Sequence, residues 1–151
     1  MDEKKMLDDI KKILSKEAPL NSKLLEVCKY LRENVEHYDW VGFYFVDKDR
    51  KDELVLGPFD GEPTEHVRIK FGQGICGQAA VRKDVFIVQD VSKETNYLSC
   101  SPEVKSEIVV PIFKNGEIAG ELDIDSHKLS PFSKKDREFL EKVAEMVGEN
   151  L

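Results

Sequence analysis

Apolar residues recur every three or four positions in two stretches near the start of the chain. Leu7, Ile10, Ile13 and Leu14 form one helical stripe, which Pro19 ends, and Leu24, Leu25, Cys28, Leu31 and Val35 form a second. After them the period shortens to two. The segments DWVGFYFVD, ELVLG, HVRIKF, DVFIVQDV, EIVVPIF and EIAGELDID read as strands separated by turn-like or charged pieces. A short helix is expected after Gly74, between the third and fourth of these. Asn115-Gly116 marks a hairpin between the last two. The chain closes on another helix, with Ser133 as N-cap and Phe139, Leu140, Val143, Ala144 and Val147 as its apolar face. This order predicts an α+β sandwich: a mostly antiparallel sheet of about six strands, with helices gathered on one face. Residues 91–106 form the one long irregular stretch, a length that in compact domains tends to be functional or mobile.

The hairpin determines where a set of acids points. Along GELDID, Glu121, Asp123 and Asp125 share one face while Leu122 and Ile124 share the other. A two-residue loop at Asn115-Gly116 would set Ile108 opposite Asp123, mixing apolar and acidic side chains. A three-residue loop, Lys114-Asn115-Gly116, sets Ile108 opposite Leu122 and Glu107 opposite Asp123, so the three-residue loop is the expected one. It gathers Glu107, Asp123 and Asp125 on one face. Like charges across a ladder repel, so that face calls for a carboxyl of raised pKa or a cationic ligand, unless it is simply solvated.

Composition narrows the field. The 151 residues are 40% hydrophobic, enough for a packed core, and the expectation is one domain over residues 1–151. The formal net charge of −7 and a single dense basic run, FSKKDREF, argue against a nucleic-acid partner. The opening MDEKKMLDDIKKIL is amphipathic and lacks the apolar core of a signal peptide. No span approaches the ~20 apolar residues of a membrane helix. A soluble, cytoplasmic protein is expected, without a membrane partner.

Three cysteines, an odd number, do not make a structural disulfide framework. Cys28 lies on an apolar helical stripe and reads as core. Cys76 sits in GQGICGQAA, where glycines let the backbone turn into a helix. There it is either a small apolar plug or a thiol whose ionisation the helix N-terminus favours. Cys100, in the polar loop, reads as reactive. No spaced Cys/His set suggests a metal, and no metal or other cofactor is expected.

The segments DWVGFYFV, LVLGPFDGEP, GQGICGQAA, CSPEVKSEIVVPI and GELDIDS, in this order and spacing, resemble the free methionine-(R)-sulfoxide reductases, a GAF-domain family. The resemblance spans residues 40–126 and implies a GAF-like fold, with a ligand pocket on the sheet face away from the terminal helices. It implies reduction of free methionine sulfoxide by a cysteine nucleophile, through a sulfenic acid and an intramolecular disulfide, with a thioredoxin-like reductant and a homodimeric state. It places Cys100 as nucleophile and Cys76 as resolving thiol, with the reverse assignment open. It makes Glu107 and Asp125 catalytic acids, and Asp123, Trp40 and Tyr44 substrate-binding residues. Two departures stand out. His66 occupies the place of a further family cysteine, and NYLSCS stands where the family tends to read G-H-I-A-C-D around the later cysteine. The chemistry asks for a thiolate to attack sulfur and a carboxyl still protonated near neutrality to give the oxygen a proton. The alternative reading is a non-catalytic GAF sensor that binds a small ligand or registers redox state. A protein that exchanges disulfides with partners is less well served, because no C-x-x-C pair is present.

Overall fold

The computed structural model describes residues 2–99 and 101–151. Two helices, α1 (Glu3–Leu14) and α2 (Leu20–Asn34), precede β1 (Trp40–Val46), β2 (Glu53–Asp60) and β3 (Arg68–Lys70). Then come α3 (Gly74–Arg82), β4 (Phe86–Val88), a 3-10 turn (Val91–Lys93), β5 (Ser106–Lys114), β6 (Glu117–Ser126) and α4 (Lys134–Glu149). The strands form one antiparallel sheet in the order β3-β2-β1-β6-β5-β4. β6 therefore runs through its middle, between β1 and β5.

Alternation along the strands produces two cores, one on each face. Ile10, Leu24, Leu31, Phe139 and Leu140 of the outer helices pack on Phe43, Ile108, Leu122 and Ile124, and Cys28 is buried there as expected. α3 covers the opposite face, joining Ile75, Cys76 and Ala79 to Trp40, Tyr44, Leu54 and Val109. α4 starts with a capping box: Ser133 caps the Asp136 backbone N–H, and the Asp136 carboxylate accepts from the Ser133 backbone N–H at 2.8 Å. The same carboxylate accepts from Tyr38 Oη at 2.6 Å and sits 2.9 Å from His37 Nε2, tying α4 to the segment before β1.

The hairpin corrects the expected register. The loop is the two-residue Asn115-Gly116, with Lys114 paired to Glu117 and both loop residues at positive φ, 53° and 78°. Asn-Gly favours this geometry because its twist matches that of the flanking strands. A bulge at Ala119 then absorbs one residue, so Ile112 faces Gly120 while Phe113 faces Ile118. Ile108 thus pairs with Ile124, not Leu122, and Glu107 with Asp125, not Asp123. The bulge restores the face assignment that the short turn alone would have inverted. A second correction concerns HVRIKF: only Arg68–Lys70 is strand, and His66 lies in the preceding loop.

Candidate active site

β6 turns Glu121, Asp123 and Asp125 away from the three outer helices, and β5 places Glu107 opposite Asp125. α3 lies over this face and brings Cys76 down onto the carboxyls. All five side chains are buried. The Cys76 thiol donates towards Glu107 Oε2 at 3.9 Å. Cys76 Sγ and one carboxylate oxygen each from Glu107 and Asp123 lie within 4.8 Å of one another. This mixed sulfur–oxygen set could hold a metal, and linear spacing did not disclose it. Among the described residues, both oxygens of Glu121 and one each of Asp123 and Asp125 have no hydrogen-bond partner.

Burial governs the electrostatics. It pushes the Glu121, Asp123 and Asp125 carboxyls above the ordinary carboxylate range, and the charge of Asp123 adds to the effect on Glu121 and Asp125. Asp123 is held back in part by hydrogen bonding with Glu107 and Cys76. The Cys76 thiol is raised well above its ordinary value by burial first and then by Asp123, Glu121 and Glu107. Of the two readings of Cys76, this favours a buried protonated thiol over one ionised by the helix N-terminus. The carboxyls and the loss of water outweigh whatever the helix N-terminus contributes.

The irregular segment before β5 roofs the site. Asn96 accepts from the Gly74 backbone N–H at 2.8 Å and donates to the Gly72 carbonyl at 2.8 Å, while Gln78 donates to the Asn96 carbonyl at 2.9 Å. Asn96 thereby satisfies an N–H at the start of α3 from a distant part of the chain. Leu98 seats on Gly74, whose φ of +64° and lack of a side chain permit the contact. His66 Nε2 lies 2.9 Å from the Ser99 carbonyl, and the Tyr44 hydroxyl donates to the His66 carbonyl at 2.8 Å. His66 is half-buried and fastens the roof. The remaining cavity, about 10 Å³, is bounded by Tyr44, His66, Cys76, Leu98, Glu107 and Asp123. A wider groove of about 550 Å³ runs between α4 and the β5–β6 hairpin, past Pro111, Phe113 and Glu145, and offers no thiol or imidazole.

Of the residues singled out in the sequence, the fold gathers Cys76, Glu107, Asp123 and Tyr44 at the cavity. Asp125 lies on the same face of β6 as Asp123, and Trp40 is its register partner on β1. The Trp40 indole stacks on Phe59 with ring centroids 5.5 Å apart and donates to the Glu62 carbonyl at 2.9 Å. Cys100 lies outside the described residues. Asn96, Leu98 and the buried environment of Glu121 were not foreseen. Glu121 was visible in the alternation of GELDID, but its full burial depends on α3 and the neighbouring strands.

Residues 20–151 match the GAF domain. The chain belongs to the GAF-domain family. Within that family it closely resembles the free methionine-R-sulfoxide reductases. It is 42% identical over 113 residues to the Saccharomyces cerevisiae free methionine-R-sulfoxide reductase, a match covering 74% of this chain and 62% of the yeast protein. The X-ray structure of the Neisseria meningitidis free methionine-R-sulfoxide reductase in complex with its substrate superposes with a TM-score of 0.91 at 36% identity, covering 98% of this chain and 87% of the other. The type II enzyme of that name from Thermoplasma acidophilum gives a TM-score of 0.82 at 39% identity, covering 94% of each chain. In this GAF domain the acid-lined cavity lies between the sheet and α3, on the face opposite the terminal helices.

Proposed function

We propose that this GAF protein reduces free methionine (R)-sulfoxide to methionine. One observation carries the reading: a buried thiol and buried carboxyls share a cavity whose roof is the chain segment leading to Cys100. Cys100 is the attacking thiolate. It takes the sulfoxide oxygen, leaving methionine and a cysteine sulfenic acid. Cys76, kept protonated in the resting protein by burial and nearby acids, is left the resolving role, in which it passes its proton to the sulfenic hydroxyl as that leaves. It displaces the sulfenic hydroxyl as water and forms the Cys76–Cys100 disulfide, which a thioredoxin-like dithiol reopens. Asp125, whose carboxyl burial raises, gives the proton to the departing oxygen, and Glu107 opposite it shares the acid role. Asp123, next to unpartnered oxygens, receives the substrate ammonium, and this selects a free amino acid because a peptide nitrogen carries no charge. Tyr44 and Trp40 pack the S-methyl group, a contact worth at most about 1.5–3 kcal/mol, so the charged contacts determine selectivity. A homodimeric assembly is part of this reading and rests on the family resemblance.

A cavity of about 10 Å³ has room for roughly one water-sized probe, so an amino acid enters only when the roof lifts. The test is to incubate reduced protein and dithiothreitol with each sulfoxide epimer and with N-acetylated methionine sulfoxide. Methionine is expected from the R epimer alone, with the S epimer and the acetylated compound left unchanged. No methionine from the R epimer would overturn the reading.

A further inference from the structure

The cavity offers more donor atoms than one ammonium can use. Cys76 Sγ and single oxygens of Glu107 and Asp123 converge within 4.8 Å, and all three residues are buried. One oxygen of Asp123 is without a hydrogen-bond partner, as are both oxygens of Glu121, two residues away on the same face of β6. A carboxylate oxygen removed from water and left without a donor invites a cation. An ammonium brings one charge at hydrogen-bonding distance. A divalent metal brings two in direct contact with the donors.

We propose that Cys76, Glu107 and Asp123 form a zinc-binding site, and that zinc bound there blocks turnover in competition with substrate. Zinc fits this donor set better than the hard cations. Calcium takes six to eight oxygen ligands and magnesium retains several waters, neither of which a cavity of about 10 Å³ accommodates. Zinc accepts four ligands, mixes sulfur with oxygen, and bonds at about 2.3 Å to sulfur and about 2.0–2.2 Å to oxygen. A tetrahedron with those bonds separates sulfur from oxygen by about 3.5 Å. Cys76 Sγ and Glu107 Oε2 stand 3.9 Å apart and all three ligand atoms lie within 4.8 Å of one another, so the site closes when the carboxylates rotate inward. Glu121 supplies a further carboxylate on the same strand face. Bound zinc would hold Cys76 as a metal thiolate, unable to reach a sulfenic acid, and would occupy the carboxylates set aside for the substrate ammonium. The inhibitory half of the proposal rests on the reductase reading. The binding half does not.

Cobalt(II), a spectroscopic substitute for zinc, reports the ligands directly. Titrated into reduced protein, it should produce a sulfur-to-cobalt charge-transfer absorption that saturates at one metal per chain and is displaced by zinc. The absorption should vanish in Cys76→Ser, weaken at least tenfold in apparent affinity in Asp123→Asn and Glu107→Gln, and persist in Cys28→Ser and Cys100→Ser. Melting curves establish that each variant is folded, and the two carboxyl variants decide the case if Cys76→Ser is not. Free methionine (R)-sulfoxide should raise the apparent dissociation constant for cobalt, and a chelator should restore activity lost to zinc. Absence of the absorption in the native protein, its survival in Cys76→Ser, or its loss in Cys100→Ser would each overturn the site. Failure of the metal-free protein to release methionine would instead overturn the reductase reading, and the spectrum would still decide the zinc site.

Discussion

Cys76 and Glu121 show how burial gives ordinary side chains unusual duties. A thiol that stays protonated in the resting protein is poorly suited to open the reaction, and to close it Cys76 must release its proton to the departing hydroxyl. Replacing Cys76 with Ser should therefore leave the first chemical event intact. Rapid-quench measurement should find about one methionine per chain, followed by a stalled sulfenic acid that a dimedone-type reagent traps. If instead no methionine forms in that first event, Cys76 is the attacker. Glu121 is fully buried with both oxygens unpartnered, and its raised carboxyl binds a proton in the folded protein that it would lose on unfolding near neutrality. Glu121→Gln should raise the unfolding free energy by about 1–3 kcal/mol at pH 8 and change little at pH 4, where the carboxyl is protonated in either state. Denaturant melts at the two pH values check this.

The β5–β6 hairpin and the roof segment act as units. Deleting Ala119 removes the bulge but keeps every observed pair, Phe113 with Ile118, Ile112 with Gly120 and Glu107 with Asp125, so Glu121, Asp123 and Asp125 stay on the α3 face. That variant should fold and lose no more than about 1–3 kcal/mol of stability, read by denaturant melt. Failure to fold would show that the local kink of the bulge, and not the register alone, is required there. The roof depends on fewer bonds. Asn96→Ala removes side-chain hydrogen bonds to Gly72 and Gly74, at about 1 kcal/mol each, and should speed proteolysis within residues 94–105 several-fold while leaving the global melt nearly unchanged.

These two elements also mark where the sequence was sufficient and where it was not. Helical periods in residues 3–34 and 134–149, and the Asn-Gly signal, are local, so they could be read directly. The acid face of β6 was legible for the same reason, since alternation needs only neighbouring residues. The hairpin register was not. Nothing in EIAGE announces that Ala119 goes unpaired, and the bulge arises because sheet twist and two opposed cores must be satisfied together. The suppression of Cys76 ionisation was equally hidden: helix position pointed one way, and carboxyls 31 to 47 residues further on pointed the other. His66 and Asn96 matter through contacts 33 and 24 residues apart in the chain, which no local period encodes.

Across the fold, two opposed titrations define a range of pH in which the substrate-free protein is most stable. Burial alone would raise the Asp136 carboxyl, but hydrogen bonds from His37, the Ser133 backbone and Tyr38 outweigh it and hold the group down at about 2. Its contribution is present above the unfolded value of 3.8 and is lost as pH falls through about 2, a difference of about 2 kcal/mol. The raised Glu121, Asp123 and Asp125 carboxyls work in reverse. Their contribution is complete below about pH 4 and declines as pH rises through their elevated folded values. Stability should therefore peak on the mildly acidic side, near pH 4–5, and decline towards pH 8. Asp136→Asn should flatten only the acid limb. A maximum at pH 7 or above would show that the carboxyls are ionised and already compensated.

β6 belongs to two cores at once, its alternate residues serving the carboxyl cluster and the outer-helix packing. Such a strand tolerates changes of length only in steps of two, or in steps of one matched by a compensating bulge. Descendants of this sequence should therefore vary freely in length across residues 47–52, and scarcely at all between Gly120 and Ser126.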